Sequence, residues 1–164
     1  MRKNNNKAVN FAQIKMMVCD FDGVMTDNRV IVDENGKESV ICNRADYLGI
    51  ELLKKKGIEV IVISKEKNKV VKARCNKLEI PCIQGINDKL SILKNEIMKK
   101  NLMPENVCFI GNDINDIDCI KYVGLGIAVN DSYPEVKEVA TIITKKKGGE
   151  GAVREVADII LTKS

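Results

Sequence analysis

The chain's apolar positions fall into short runs separated by polar and glycine-rich breaks. Ile14, Met16, Met17 and Val18 lead into Asp20-Phe21-Asp22-Gly23. A short apolar run ending in acids and glycine predicts a buried parallel strand over about 16–21, with its carboxyl end opening into a loop. Two β-rich runs follow, Arg29-Val30-Ile31-Val32 and Ser39-Val40-Ile41-Cys42, on either side of Asn35-Gly36. That dipeptide is a strong hairpin signal, so a hairpin over about 28–43 should interrupt the connection directly after the acids. There it could cover the acids or meet a neighbouring subunit. Ala45, Leu48, Ile50, Leu52 and Leu53 predict a helix over 45–56, stopped by Gly57. Ile58 to Ile63 is almost continuously β-branched and reads as a second buried parallel strand, ending at Ser64.

The rest alternates. Helices are expected at 66–78, from an Asn87 cap to about 100, and at 115–122, 133–138 and 151–162. Strands are expected at 80–84, 106–110, 126–129 and 141–144. Strand-helix alternation with one early hairpin predicts an α/β fold built on a doubly wound parallel sheet. We expect one domain over 14–164 behind a polar lead-in, 1–13.

Composition narrows the function. The chain has 164 residues, room for one domain with a real core. Tryptophan is absent, so aliphatic side chains must build that core. The net charge of +4 comes from dispersed lysine, which argues against a dedicated nucleic-acid binder. No run approaches the ~20 apolar residues of a membrane span, and the first residues lack the apolar stretch of a signal peptide. The six cysteines form no CxxC pair, so they read as reduced thiols of a cytoplasmic protein. The absence of histidine removes every His-based mechanism. Catalysis must run on carboxylates, lysine and hydroxyls.

Polar residues sit where strands end: Asp20 and Asp22, Ser64, the Lys89 region, and Asn112, Asp113 and Asp116. In a parallel sheet these places converge on one edge. Strand alternation would turn Asp20 and Asp22 to one side, where they need a positive partner: a cation, a shared proton or a lysine. An aspartate can attack phosphorus and a second acid can move protons. Mg²⁺ suits hard oxygen ligands. Serine and lysine can hold phosphoryl oxygens. Singly, each has a plainer reading: Ser64 as a helix cap, Lys89 as a solvated lysine, Asn112-Asp113 as a turn, Asp116 at a helix start, Gly148-Gly149-Glu150-Gly151 as a lead into the last helix. Their joint order at successive strand ends is what raises the set.

With these residues in hand, the chain resembles the haloacid dehalogenase (HAD) superfamily. Asp20 to Asp27 (DFDGVMTD) looks like its first motif, Ser64 its second, Lys89 its third and Gly111-Asn112-Asp113 its fourth. Gln84 to Leu90, the hairpin and Gly148 to Glu155 resemble the branch of 3-deoxy-octulosonate 8-phosphate phosphatases. Related domains are fused to acylneuraminate cytidylyltransferases or act on nonulosonate 9-phosphates. The resemblance implies a Rossmann-like HAD core with a β-hairpin flap in place of a cap domain, and Mg²⁺-dependent hydrolysis of a sugar acid phosphate through an aspartyl-phosphate. It also implies a homotetramer whose active sites form between subunits. Asp20 would be the nucleophile and Asp22 the acid/base. Ser64 and Lys89 would bind phosphate, with Thr26 as a further substrate contact and Glu66 and Arg74 as candidates for contact with the sugar or the neighbouring subunit. Mg²⁺ would be held by Asp20, the Asp22 carbonyl, and Asn112 or Asp113. The family usually has an aspartate where Asn112 stands, and Lys65-Glu66 after the serine looks more like the nonulosonate branch. Two other readings remain at this point. One is a HAD-like accessory or oligomerisation module with weak or no activity. The other is a response-regulator receiver domain, against which the hairpin and the DxDG spacing speak.

Overall fold

The computed structural model describes residues 9–164. Residues 1–8 of the expected lead-in lie outside the described residues. Val9 and Phe11, at its far end, pack against the core.

The strands are β1 (Met16–Cys19), β2 (Ile31–Val32), β3 (Glu38–Ser39), β4 (Glu59–Ile63), β5 (Cys82–Ile83), β6 (Val107–Gly111), β7 (Leu125–Ala128) and β8 (Ile142–Ile143). The helices are α1 (Arg44–Lys55), α2 (Lys69–Leu78), α3 (Lys89–Lys99), α4 (Ile117–Tyr122), α5 (Pro134–Val139) and α6 (Ala152–Lys163). Six strands form one parallel sheet in the order β5-β4-β1-β6-β7-β8. The chain winds outward from β1 in one direction and then returns to wind in the other. The order reverses between β1 and β6, and ligands of such sheets lie at the carboxyl ends of the strands flanking that point.

Alternation along the strands sorts the core into two layers. Met17, Cys19, Val60, Val62, Cys108 and Ile110 join the layer under α1, α2 and α6. Met16, Val18, Ile61, Ile63, Val107 and Phe109 join the layer under α3, α4 and α5. With both faces covered, the strands are apolar almost throughout, as the sequence pattern implied.

Four local expectations change. β1 ends at Cys19, and Asp22 lies in a turn closed by Met25 N–H to the Phe21 carbonyl (2.9 Å). Strand alternation therefore does not set its direction. The hairpin forms, but not around a two-residue Asn-Gly turn. The Asp33 carboxylate accepts the N–H groups of Asn35 and Lys37 (both 2.9 Å), and Gly36 alone in the loop takes a positive φ (76°). An aspartate that bonds its own turn backbone starts the turn early, which shortens the paired strands. α2 starts at Lys69 rather than 66, capped by Asn68 (3.0 Å to Val70 N). α3 is capped by Asp88, not Asn87. Among the described residues there is no separate cap domain, and no helix is long and apolar enough to cross a membrane.

Candidate active site

Asp20 follows β1 directly and continues its ladder through N–H to the Ile110 carbonyl (3.0 Å). Its carboxylate is almost fully buried. Oδ1 accepts the Phe21 N–H at 2.7 Å and lies 2.9 Å from Lys89 Nζ. Lys89 arrives from the first turn of α3 and is itself buried. Its ammonium donates to Asp116 Oδ1 at 2.8 Å. Asp116 is completely buried, and its second oxygen accepts the N–H groups of Asn112 (2.9 Å) and Asp113 (3.3 Å). The lysine thus ties the end of β1 to the loop after β6.

Two buried carboxylates share one ammonium, so the cluster is short of positive charge. Burial and the Asp116 carboxylate push Asp20 up to about 7, against the pull of Lys89. Burial pulls Lys89 down, but Asp20 and Asp116 more than offset it and hold it above its ordinary value. Asp22 is half-buried; burial, then the Glu66 carboxylate, raise it. A site with this deficit favours a cation.

Asn112 supplies a further donor. Its side chain is buried, and Oδ1 has no hydrogen-bond partner. A buried orphan oxygen costs about 1–3 kcal/mol unless something fills it. The amide passes over Gly23, where a Cβ would come within 2.0 Å of Asn112 Nδ2. Asp113 is engaged locally: its Oδ1 accepts the Ile114 N–H (2.7 Å). Asp20, a main-chain carbonyl and an amide oxygen form an all-oxygen set that fits Mg²⁺. Among the described residues no three His, Cys, Asp or Glu side chains cluster as a metal site; this set has one carboxylate, and its other two oxygens are neutral.

A cleft of about 510 Å³ collects these strand ends: Asp20 and Asp22, Ser64, Glu66, and Asn112 and Asp113. Ser64 Oγ accepts the Glu66 N–H (3.1 Å), which leaves the hydroxyl hydrogen for a ligand. Glu66 lines the cleft, but its Oε1 accepts the N–H groups of Lys67 (2.6 Å) and Asn68 (2.8 Å). Three residues expected to touch substrate are not on the cleft wall. Lys89 is buried against Asp20 and Asp116. Thr26 is fully buried, and its Oγ1 accepts the N–H groups of Gly23 (3.2 Å) and Asn28 (3.1 Å), which closes the acidic loop on itself. Arg74 donates to the Asn43 carbonyl (3.1 Å) at the start of α1.

Two supports of the site play parts that the sequence reading did not assign them. Asp116, expected among the polar strand ends or simply at a helix start, is the anchor of Lys89. The Gly148-Gly149 turn lies directly on the acidic loop: a Cβ on Gly148 would come within 1.9 Å of the Gly23 carbonyl, and Gly149 N–H donates to the Val24 carbonyl (3.1 Å). The paired glycines were the available signal, since two backbones in contact require residues without side chains.

Known proteins share this fold and much of this sequence. The haloacid dehalogenase-like hydrolase family profile matches residues 65–156. The 3-deoxy-D-manno-octulosonate 8-phosphate phosphatase of Yersinia pestis is 38% identical over 151 residues, covering 92% of this chain and 81% of that protein. A HAD family hydrolase structure from Streptomyces avermitilis superposes with a TM-score of 0.90 at 41% identity, covering 93% of this chain and 87% of that one. The octulosonate 8-phosphate phosphatase of Moraxella catarrhalis, solved with magnesium, phosphate and KDO, gives a TM-score of 0.91 at 33% identity over 94% of this chain and 90% of that one. A family profile that matches more than half of the chain, together with relatives of this identity and coverage, shows that the chain belongs to the haloacid dehalogenase-like hydrolase family.

Proposed function

We propose that this protein is a Mg²⁺-dependent phosphatase of a 2-keto-3-deoxy sugar acid phosphate, with octulosonate 8-phosphate as the leading substrate. The observation that carries the reading is the complete buried set: Asp20 and Asp116 bridged by Lys89, with the free Asn112 oxygen beside them. An accessory module without catalysis would have no use for that buried charge, which is costly to keep. Octulosonate 8-phosphate is the substrate named for the Yersinia pestis relative.

In this mechanism Asp20 attacks phosphorus and forms an aspartyl phosphate, while Asp22 protonates the departing sugar oxygen. Asp22 then takes a proton from the water that cleaves the acyl phosphate. Its raised proton affinity suits it to both steps. Ser64 and Lys89 bind the phosphoryl oxygens, and Asp116 positions Lys89. The Asp20 carboxylate, the Asp22 main-chain carbonyl and Asn112 Oδ1 would hold Mg²⁺, which when bound screens the carboxylates from the incoming phosphate.

The phosphatase domain spans 14–164, and we place it in the cytoplasm, in keeping with six free thiols. The hairpin exposes Val30, Ile31, Val32 and Ile41, each more than half accessible. Apolar residues grouped in this way favour burial by another subunit, which supports a homotetramer with active sites completed between chains.

Hydrolysis of octulosonate 8-phosphate, a nonulosonate 9-phosphate and p-nitrophenyl phosphate, with and without Mg²⁺, tests the reading. We expect Mg²⁺-dependent turnover with preference for a sugar acid phosphate. Turnover that survives both chelation and Asp20→Asn contradicts the mechanism.

A further inference from the structure

Lys67 lines two depressions at once. One is the cleft that holds Asp20 and Asp22. The other is a groove of about 770 Å³ between the hairpin and α2, lined by Lys37, Lys67 and Lys69 with one acid, Glu38. Glu38 is engaged by Asn68 Nδ2 at 2.9 Å. Among the described residues none of the three lysines makes an ion pair. The groove therefore carries excess positive charge next to a cleft dominated by carboxylates.

The stem of Lys67 has a defined course. It lies over Gly85, where a Cβ would be 3.4 Å from Lys67 Cγ. Its turn is tied to the same loop by Gly85 N–H to the Glu66 carbonyl (3.0 Å) and Gln84 Nε2 to the Asn68 carbonyl (3.2 Å). Glu66, by contrast, turns its carboxylate onto its own backbone.

We propose that Lys67, with Lys37 across the groove, receives the carboxylate of the sugar acid while the phosphoryl end lies at Asp20. Lys67 rather than Glu66 then sets the preference for acidic over neutral sugar phosphates. The inference rests on the phosphatase reading above. A 2-keto acid phosphorylated at its far end carries anions at both ends of its carbon skeleton; with the phosphoryl end at Asp20, the lysines of the adjoining groove are placed for the other. A lysine ammonium suits the other as a point charge on a flexible stem.

The test compares kcat/KM for octulosonate 8-phosphate with that for a neutral ester, arabinose 5-phosphate. Lys67→Ala should lower the ratio about ten-fold, the effect of one charge-assisted hydrogen bond, and should do so through KM. Lys67→Arg should restore most of it. A ratio unchanged in Lys67→Ala, or one that falls only in Glu66→Gln, overturns the inference and leaves the phosphatase reading in place. A wild-type enzyme with no preference for the acidic ester removes both.

Discussion

Replacing Asp116 by Asn keeps its size and removes its charge. The carboxylate makes three contacts without solvent: Lys89 Nζ at 2.8 Å, Asn112 N at 2.9 Å and Asp113 N at 3.3 Å. An asparagine has one acceptor oxygen and would turn its NH₂ towards one of these donors. Taking one partner from a buried ion pair costs about 3–5 kcal/mol. Lys89 keeps Asp20 as a partner, so we place the loss at the lower end, about 3 kcal/mol, or roughly 6–12 °C in Tm for a domain of this size. Activity should fall as well, because Lys89 loses the anchor that aims it; a displacement of ~1 Å at a reacting centre can cost ~100-fold. Urea unfolding followed by circular dichroism, with phosphate release as the activity assay, reads both. Stability within about 0.5 kcal/mol of wild type, the range of ordinary surface changes, together with unchanged kcat, would refute the role given to Asp116.

Two further outcomes follow from the same geometry. Asn112→Asp should tighten Mg²⁺ binding roughly ten-fold in titration calorimetry, since a carboxylate would replace a neutral amide oxygen; weaker or equal binding would remove Asn112 from the metal set. Asp46 is buried and accepts the Arg154 N–H (3.0 Å) on Oδ1, while Oδ2 has no hydrogen-bond partner among the described residues. Burial pushes it from 3.8 up to about 6. The folded chain therefore binds more protons than the unfolded chain between those values. This group's contribution is fully present below its unfolded value, declines as pH rises through that window and levels off above about 6. Asp46→Asn should accordingly raise stability at pH 8 by about 1–3 kcal/mol and make little difference near pH 4; a gain that does not depend on pH would contradict this.

The fold was legible because its signals are periodic. The β-branched run Ile58–Ile63 and the apolar approach to Asp20 can only be buried strands in a chain that otherwise alternates. The convergence of Asp20, Ser64, Lys89 and Asn112 followed from topology, which places successive strand ends on one edge. The misses were of two kinds. Some were choices between equivalent neighbours, such as Asp88 over Asn87 as a cap, or Asp33 seizing the turn ahead of Asn35-Gly36. Others depend on contacts far apart in the chain. Lys89 and Asp116 are 27 residues apart, and no local pattern shows that Asp116 serves a lysine. Thr26 was expected at the substrate from the family resemblance, but the backbone N–H groups of its own loop bond its hydroxyl. Arg74 likewise finds the Asn43 carbonyl.

The central claim is that Asp20 carries the phosphoryl group during turnover. Brief incubation with ³²P-labelled octulosonate 8-phosphate and Mg²⁺, an acid quench and mapping of the label test it directly. Acid-stable, hydroxylamine-labile label should appear on the peptide containing Asp20 and be absent in Asp20→Asn. Label on a different residue, or label that persists in Asp20→Asn, would contradict it.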